Sequence, residues 1–397
     1  MGKPYLIFPI ILAVLLITAG CGETATSANQ DGVQEDRNDE SPSEESSNQG
    51  KSADKDNDKT KAENSETGNE KSGEDSSDKT EETKQKRPFS PTPPPKNAKP
   101  LKTKYPSKVK KKMPCEEAHG KNPTRTIPLG QTLLKGKKDL TDGPLQNYRL
   151  VTYYGTPLSS QMGILGRYSP KKMMKKLKKQ ASVYSKLDPD HPAVPTIELI
   201  ATVAQGSPGP DGNYVLKTPD DVIQRYVKLA KKNDALLVLD VQLGSASVMH
   251  GVKAVEKYLK LPFVHLAIDT EYSIGNGEVP GEDLGHVDGS EIQNAIQYVD
   301  QMVEKYQLPD KIVMVHQFGD GIITNKKRIH PSKNVEVVLN SDGFGKDAIK
   351  MAAYGKLVKE QSIQYGGFKL FYKKDNPLLT PKQVLKLDPA PAVVNYQ

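Results

Sequence analysis

The sequence predicts a (β/α)8 barrel, the TIM-barrel fold of the α/β class, for its C-terminal part, and three observations predict it. From Pro114 onward, apolar runs of strand length alternate with amphipathic stretches of helix length. The strand-like runs are rich in Val, Ile and Leu with few polar alternations, as parallel strands buried on both faces must be. Eight such runs fall within residues 115–397, close to the usual barrel size of about 250 residues.

In chain order the expected strands are 149–154, 196–203, 235–241, 264–269, 311–317, 335–340, 367–372 and 392–396. Helical patterns lie between them at 170–186, 219–232, 247–259, 290–306 and 346–360, within eight repeats of strand then helix. Ser169-Pro170 and Thr218-Pro219-Asp220-Asp221 supply helix-start chemistry. A doubly wound open sheet is the alternative, but it would place a Gly-rich turn and a helix directly behind the first strand. Gly155-Thr156-Pro157-Leu158 offers neither.

Upstream, residues 1–20 carry one cation, Lys3, then an apolar run from Tyr5 to Ile17, closing on Thr18-Ala19-Gly20 before Cys21. The run is short for a bilayer span and sharply ended, so it reads as an export signal. Residues 21–86 are Ser, Glu, Asp, Asn, Lys and Gly with almost nothing apolar, too little to offset the entropy of ordering. Residues 87–114 are Pro-rich and basic without an acid, a stiff spacer. A flexible chain of this combined length spans roughly 50 Å or more. The domain is then expected over 115–397.

The formal net charge of +7 is the residue of an acidic segment and a basic one, so nucleic acid is not implied. Anionic headgroups and wall polymers are nearer partners for the basic stretch. Of two cysteines, Cys21 is the expected lipidation site and Cys115 lies at the domain edge, so no internal disulfide is expected.

In a barrel the chemistry sits at the carboxyl ends of the strands. There the chain places Glu198, Asp240-Val241-Gln242, Asp269-Thr270-Glu271-Tyr272, His316-Gln317, Asn340-Ser341-Asp342, and Lys369 with Tyr372. Residues two apart on a strand share a face, which pairs Asp240 with Gln242, Asp269 with Glu271 and Asn340 with Asp342. Carboxyls crowded into one mouth raise each other's pKa, as a general acid near neutral pH requires. The structural alternative has these acids capping helices or pairing with Lys369 and Arg167.

No His-Glu-x-x-His or His-x-His is present, and the seven histidines are scattered. A divalent ion held by His316 with Asp240, Asp269 or Glu271 is the weaker reading, and no cofactor is implied. No Gly-x-Ser-x-Gly follows a strand. The loop 206–213 lacks a phosphate loop's lysine and reads as a rim loop over the mouth. Segment 171–179 is cationic around Met173, Met174 and Leu177, an apolar stripe for packing on the barrel.

Three resemblances add to this. Leu16-Ile17-Thr18-Ala19-Gly20-Cys21 resembles the bacterial lipobox, with Thr18 where a leucine is usual. The resemblance implies a membrane anchor on Cys21 and the extracytoplasmic face of the cell membrane. Asp269-Thr270-Glu271 resembles the Asp-x-Glu signature of barrel glycosidases that cut N-acetylhexosamine polymers, chitinases and muramidases among them. It implies Glu271 as acid and Asp269 as the partner that positions the acetamido group. Ala267 and His265 stand where the chitinase pattern has further aspartates.

The segments 153–157, 206–214, 315–318, 340–345 and 367–372 resemble a family of Gram-positive and actinobacterial cell-surface lipoproteins with no assigned activity. The expected function is therefore a tethered, monomeric glycoside hydrolase acting on a cell-envelope or environmental polysaccharide. Asp240, Gln242, His316, Gln317, Asp342, Tyr154, Lys369 and Tyr372 would shape its pocket. The chain has no tryptophan, so Tyr153, Tyr154, Tyr272 or Tyr372 would supply the aromatic face. A non-catalytic barrel that binds a wall glycan or an envelope protein is the rival reading, and a metal-dependent hydrolase the third.

Overall fold

The computed structural model describes residue 139 and residues 141–397, except 360 and 362. The expected signal, anchor, tether, spacer and Cys115 lie outside the described residues. Eleven strands are formed: β1 (Arg149–Gly155), β2 (Ala193–Ala204), β3 (Val215–Lys217), β4 (Leu236–Gly244), β5 (Val264–Ser273), β6 (Val287–Asp288), β7 (Lys311–Gln317), β8 (Ile323–Thr324), β9 (Val335–Ser341), β10 (Tyr365–Leu370) and β11 (Val393–Tyr396). Eight of them, in the order β1-β2-β4-β5-β7-β9-β10-β11, pair in parallel, and β1 joins both β2 and β11. The ring is closed, which excludes the open doubly wound sheet. All eight expected strands are present, displaced by at most four residues at either end.

The first seven residues of each barrel strand are buried, or all of them where the strand is shorter, because side chains alternate between the barrel interior and the helix layer. The outer layer comprises α1 (Pro170–Leu187), α2 (Asp220–Lys232), α3 (Val248–Leu259), α4 (Gly289–Tyr306), α5 (Asp347–Tyr354) and the one-turn α6 (Pro381–Val384). On α1, Met173, Met174 and Leu177 are buried while Lys171, Lys172, Lys175, Lys176, Lys178 and Lys179 are exposed, as a 3.6-residue period requires. Ser169 makes no side-chain cap; Pro170 at the first position starts the helix instead.

The expected eight strand-helix repeats are not all realised. Between β7 and β9 the only helical piece is the 3-10 turn Lys326–Arg328. Gly319, Gly321 and Pro331 interrupt that connection, and its apolar residues Ile322, Ile323 and Ile329 are buried without a helix. The expected helix 346–360 ends as α-helix at Tyr354 and continues as a π turn over Gly355–Lys359.

Two glycines shape the mouth. Gly155 (φ 141°) ends β1 and bridges Gly163 (φ 84°) as the chain turns back over the barrel. A Cβ on either would strike the other's backbone, so this return requires glycine at both places.

Candidate active site

Cross-strand register lines up the polar ends. Gln242 pairs with Asp269, Asp269 with His316, and His316 with Asn340, so four neighbouring strands carry one row of polar side chains at the same height. Gly367 continues the row on β10. A larger residue there would collide with the Asn340 side-chain oxygen. The pairing shifts register near Ile200/Thr202 and Gln242/Gly244, as at a β-bulge, and such irregularities at strand ends re-aim side chains.

Above this row opens a cleft of about 980 Å³. Its floor is Tyr154, Gln242, Asp269, Glu271 and Lys369, and its walls include Met162, Gln205, Gly206 and Ser207 on one side and Phe318, Phe344, Phe371 and Lys374 on the other. The first residues of the expected rim loop thus border the cleft.

Glu271 is half-buried. Desolvation, with the nearby Asp269 carboxyl, pushes its pKa up to about 8. Its backbone N–H donates to Asp269 Oδ1 at 3.2 Å. Asp269 is itself raised, first by burial, against the pull of His316 and Lys369. Asp240, fully buried, is raised well above the carboxylate range by desolvation and by Asp269. It accepts the Tyr154 hydroxyl at 3.1 Å, while its Oδ1 has no partner among the described residues. Gln242 uses its oxygen on the Ala204 N–H at 2.9 Å and aims its amide at Tyr154 and Asp269, at 3.4 and 3.5 Å.

Beneath the floor runs a buried charge network. His316 Nε2 lies 2.7 Å from Glu198 Oε1 and Nδ1 2.8 Å from Asp342 Oδ2. Burial works against its charge, but Asp342 and Glu198 outweigh it, and the imidazole pKa is raised well above its ordinary value. His316 is therefore an imidazolium donating from both nitrogens. Asp342 is held down at about 2: burial would raise it, and His316 and Lys369 prevail. Lys369 Nζ donates to Asp342 Oδ2 at 2.9 Å and lies 3.8 Å from the centre of the Tyr154 ring. Asn395 donates to Glu198, and Asn340 to Asp342.

Tyr154, Gln242, Asp269, Glu271 and Lys369 thus meet at the floor, and Asp240, His316 and Asp342 lie below it. Two expected pocket residues lie elsewhere. Gln317 is buried but faces the helix layer, donating to the Leu357 carbonyl at 2.8 Å, because its neighbour His316 takes the inward face. Tyr372 stacks on Tyr396 at 5.3 Å between ring centres, outside the cleft. By alternation Lys369 shares its face with Phe371, not with Tyr372, so Phe371 lines the cleft in its place, together with Tyr154, Tyr272, Phe318 and Phe344. Among the described residues Arg167 makes no ion pair with these acids, whereas Lys369 does.

Glu198 is marked in the sequence by its strand end without a pocket role, Phe318, Phe344 and Phe371 only by the segments that carry the family resemblance, and Asn395 and Lys374 not at all. Alternation from Lys369 would have found Phe371, but nothing local in the sequence marks Asn395.

Glu198, Asp240 and His316 each place a ligand atom within 4.8 Å of the others, a donor set of suitable types for a divalent ion. With both His316 nitrogens engaged by carboxyls, an ion there would first have to strip a proton and a hydrogen bond from the ring.

No family model matches the chain, and no curated protein does. Among solved structures, a candidate alpha-L-fucosidase from Bacteroides thetaiotaomicron is similar at TM-score 0.35 and 10% identity, over 63% of this chain and 86% of that one. A GH18 chitinase from Pseudoalteromonas aurantia is similar at TM-score 0.31 and 9% identity, over 63% of this chain and 93% of that one. Among the described residues no helix is long and apolar enough to cross a membrane.

Proposed function

We propose that the protein is a glycoside hydrolase that cuts N-acetylhexosamine polymers, with Glu271 as the acid and Asp269 as its partner. One observation carries this reading: a carboxyl with a pKa of about 8, and so mostly protonated at pH 7, stands at the floor of an open cleft two residues from a buried acid on the same strand. Glu271 would give its proton to the leaving oxygen of the glycosidic bond. The substrate's own acetamido oxygen would attack the anomeric carbon, and Asp269 would hold the acetamido N–H as positive charge develops. Glu271, by then ionised, would take a proton from the water that opens the intermediate.

The buried network suits this division of labour. Burial raises both carboxyls, but His316 and Lys369 pull against it at Asp269, while at Glu271 the Asp269 carboxyl adds to it. The cell-surface setting is part of the proposal and rests on the sequence alone: export through residues 1–20, lipid on Cys21, and a tether reaching into the wall on the outer face of the membrane.

Glu271→Gln tests the chemistry. On peptidoglycan or chitin oligosaccharides it is expected to lower turnover by at least about 100-fold while leaving the affinity for glycan within a few-fold. A wild-type protein that binds these glycans without cutting them would instead establish a non-catalytic glycan-binding barrel.

A further inference from the structure

We infer that the cleft wall opposite the rim loop is a preformed subsite for an acidic sugar, so that the polymer bound beside Glu271 carries a carboxylate. The inference rests on the glycosidase reading of the same cleft and adds the charge of its substrate.

The wall is aromatic and carries a cation, Lys374, that forms no ion pair among the described residues. Phe318, Phe344 and Phe371 stand in sequence, with ring centres 6.0 and 5.6 Å apart. Such faces pack against the C–H surface of a sugar ring, the part that tryptophan often plays. Lys374 lies over Phe344, its Nζ 4.3 Å from the ring centre. It is exposed, lines the cleft, and makes no ion pair among the described residues. The other lysine of the cleft, Lys369, is committed to Asp342. Lys374 is near enough to Glu271 to favour that group's ionised form, opposite to what a proton donor needs. A cation placed where it reduces the protonated fraction of that acid is explained if its task is to meet a negative charge on the ligand.

A second buried ion pair holds this wall in place. Lys350 Nζ lies 3.1 Å from Asp375 Oδ2, with side-chain exposures of 1% and 0%. Asp375 also accepts the N–H groups of Phe371 at 2.8 Å and Gly345 at 3.1 Å, tying the loop that carries Lys374 to the loop that carries Phe344. Lys350 donates further to the Lys369 carbonyl at 2.8 Å and to that of Gly343. Burying such a pair stabilises little in itself, because desolvation offsets the attraction. Its effect is to fix two loops, and the groups thereby fixed are Phe344, Phe371 and Lys374. A binding wall ordered before the ligand arrives loses less entropy on binding.

The test compares two oligosaccharides of equal length: one of N-acetylglucosamine alone, and one alternating N-acetylglucosamine with N-acetylmuramic acid, which carries the carboxylate. Binding is measured by calorimetry with Glu271→Gln, so that turnover does not intervene, and with the Glu271→Gln/Lys374→Gln double variant. The expected result is about 10-fold tighter binding of the acidic glycan, the order of one charge-assisted contact. That preference should disappear in the double variant and shrink with added salt. Lys374 is exposed, so the double variant keeps the melting temperature of its parent. Equal affinities for the two glycans, or a preference that survives Lys374→Gln, would overturn the inference while a wild type that cuts either glycan keeps the glycosidase reading. A wild type that neither binds nor cuts either glycan would overturn both.

Discussion

Nε2 of His316 lies 2.7 Å from Oε1 of Glu198, with side-chain exposures of 1% and 0%, and its other nitrogen is bound to Asp342. Two acids from opposite sides of the ring, on β2 and β9, are joined through one imidazolium on β7. The arrangement staples the barrel interior beneath the cleft, and it has a definite pH signature.

The folded pKa of His316 is raised, so its contribution to stability is complete below its unfolded pKa of about 6.5 and is lost as pH climbs through the higher folded value. Asp342 is depressed to about 2, so its contribution is present above about 3.9 and lost as pH falls through about 2. His316→Gln leaves the buried Glu198 without this cation and Asp342 with Lys369 alone, and should cost about 3–5 kcal/mol near neutral pH. Chemical denaturation of wild type and variant should show the gap widening from pH 5 only as far as about 6.5, as the abandoned acids lose their protons, and not beyond it, where the folded imidazolium keeps a proton that the unfolded chain has lost. A gap that goes on widening above about pH 6.5 would contradict the imidazolium.

The raised Glu271 sets the alkaline limit of activity. As the acid it must be protonated, so turnover should fall tenfold per pH unit above about 8. A kcat/KM profile on a chitin or peptidoglycan oligosaccharide checks this, and a limb placed near the ordinary Glu value would remove Glu271 from the acid's role.

Neighbouring aromatic and amide residues should separate by face. Tyr154→Phe removes the hydroxyl that Asp240 accepts at 3.1 Å and should weaken glycan binding or turnover by about 10-fold. Tyr372→Ala, outside the cleft, should leave both unchanged within a factor of two. Gln317→Ala should lower stability by about 1–2 kcal/mol through its lost bond to the Leu357 carbonyl, with ligand affinity intact. Titration of the three variants with one glycan, beside their melting curves, distinguishes these outcomes.

Chelation should be without effect. Both His316 nitrogens are engaged by carboxyls, so the ring offers no lone pair to an ion, and burial holds the Asp240 carboxyl toward its protonated form. Activity after exhaustive dialysis against EDTA should equal that of the untreated protein. Loss on chelation with recovery on adding a divalent ion would make that trio a metal site.

Much of the barrel was legible because burial on both faces leaves a plain mark: runs such as Lys311–Gln317 and Val335–Ser341 are apolar enough to be read directly. Strand-end acids were legible for the same reason, since Asp240, Asp269 and Asp342 interrupt or end apolar runs. Faces were harder. Gln317 and Tyr372 were assigned by proximity to a strand end, yet each lies one step out of phase with an inward neighbour, and phase is set by the pairing of strands. The helix expected between β7 and β9 failed because Gly319, Gly321 and Pro331 break the stretch, and Ile322, Ile323 and Ile329 are buried without one.

The sequence by itself determined the alternation of strands and helices and the Asp269-Thr270-Glu271 ending of β5, because both are local patterns of burial and charge. Only the closed ring decided which groups meet: Glu198 and Asn395 are nearly two hundred residues apart along the chain and hydrogen-bonded inside the barrel, and Lys350 on α5 pairs with Asp375 in the loop after β10. Periodicity tells a side chain which face to take. It carries no information about what stands opposite, which depends on strand order, register and closure.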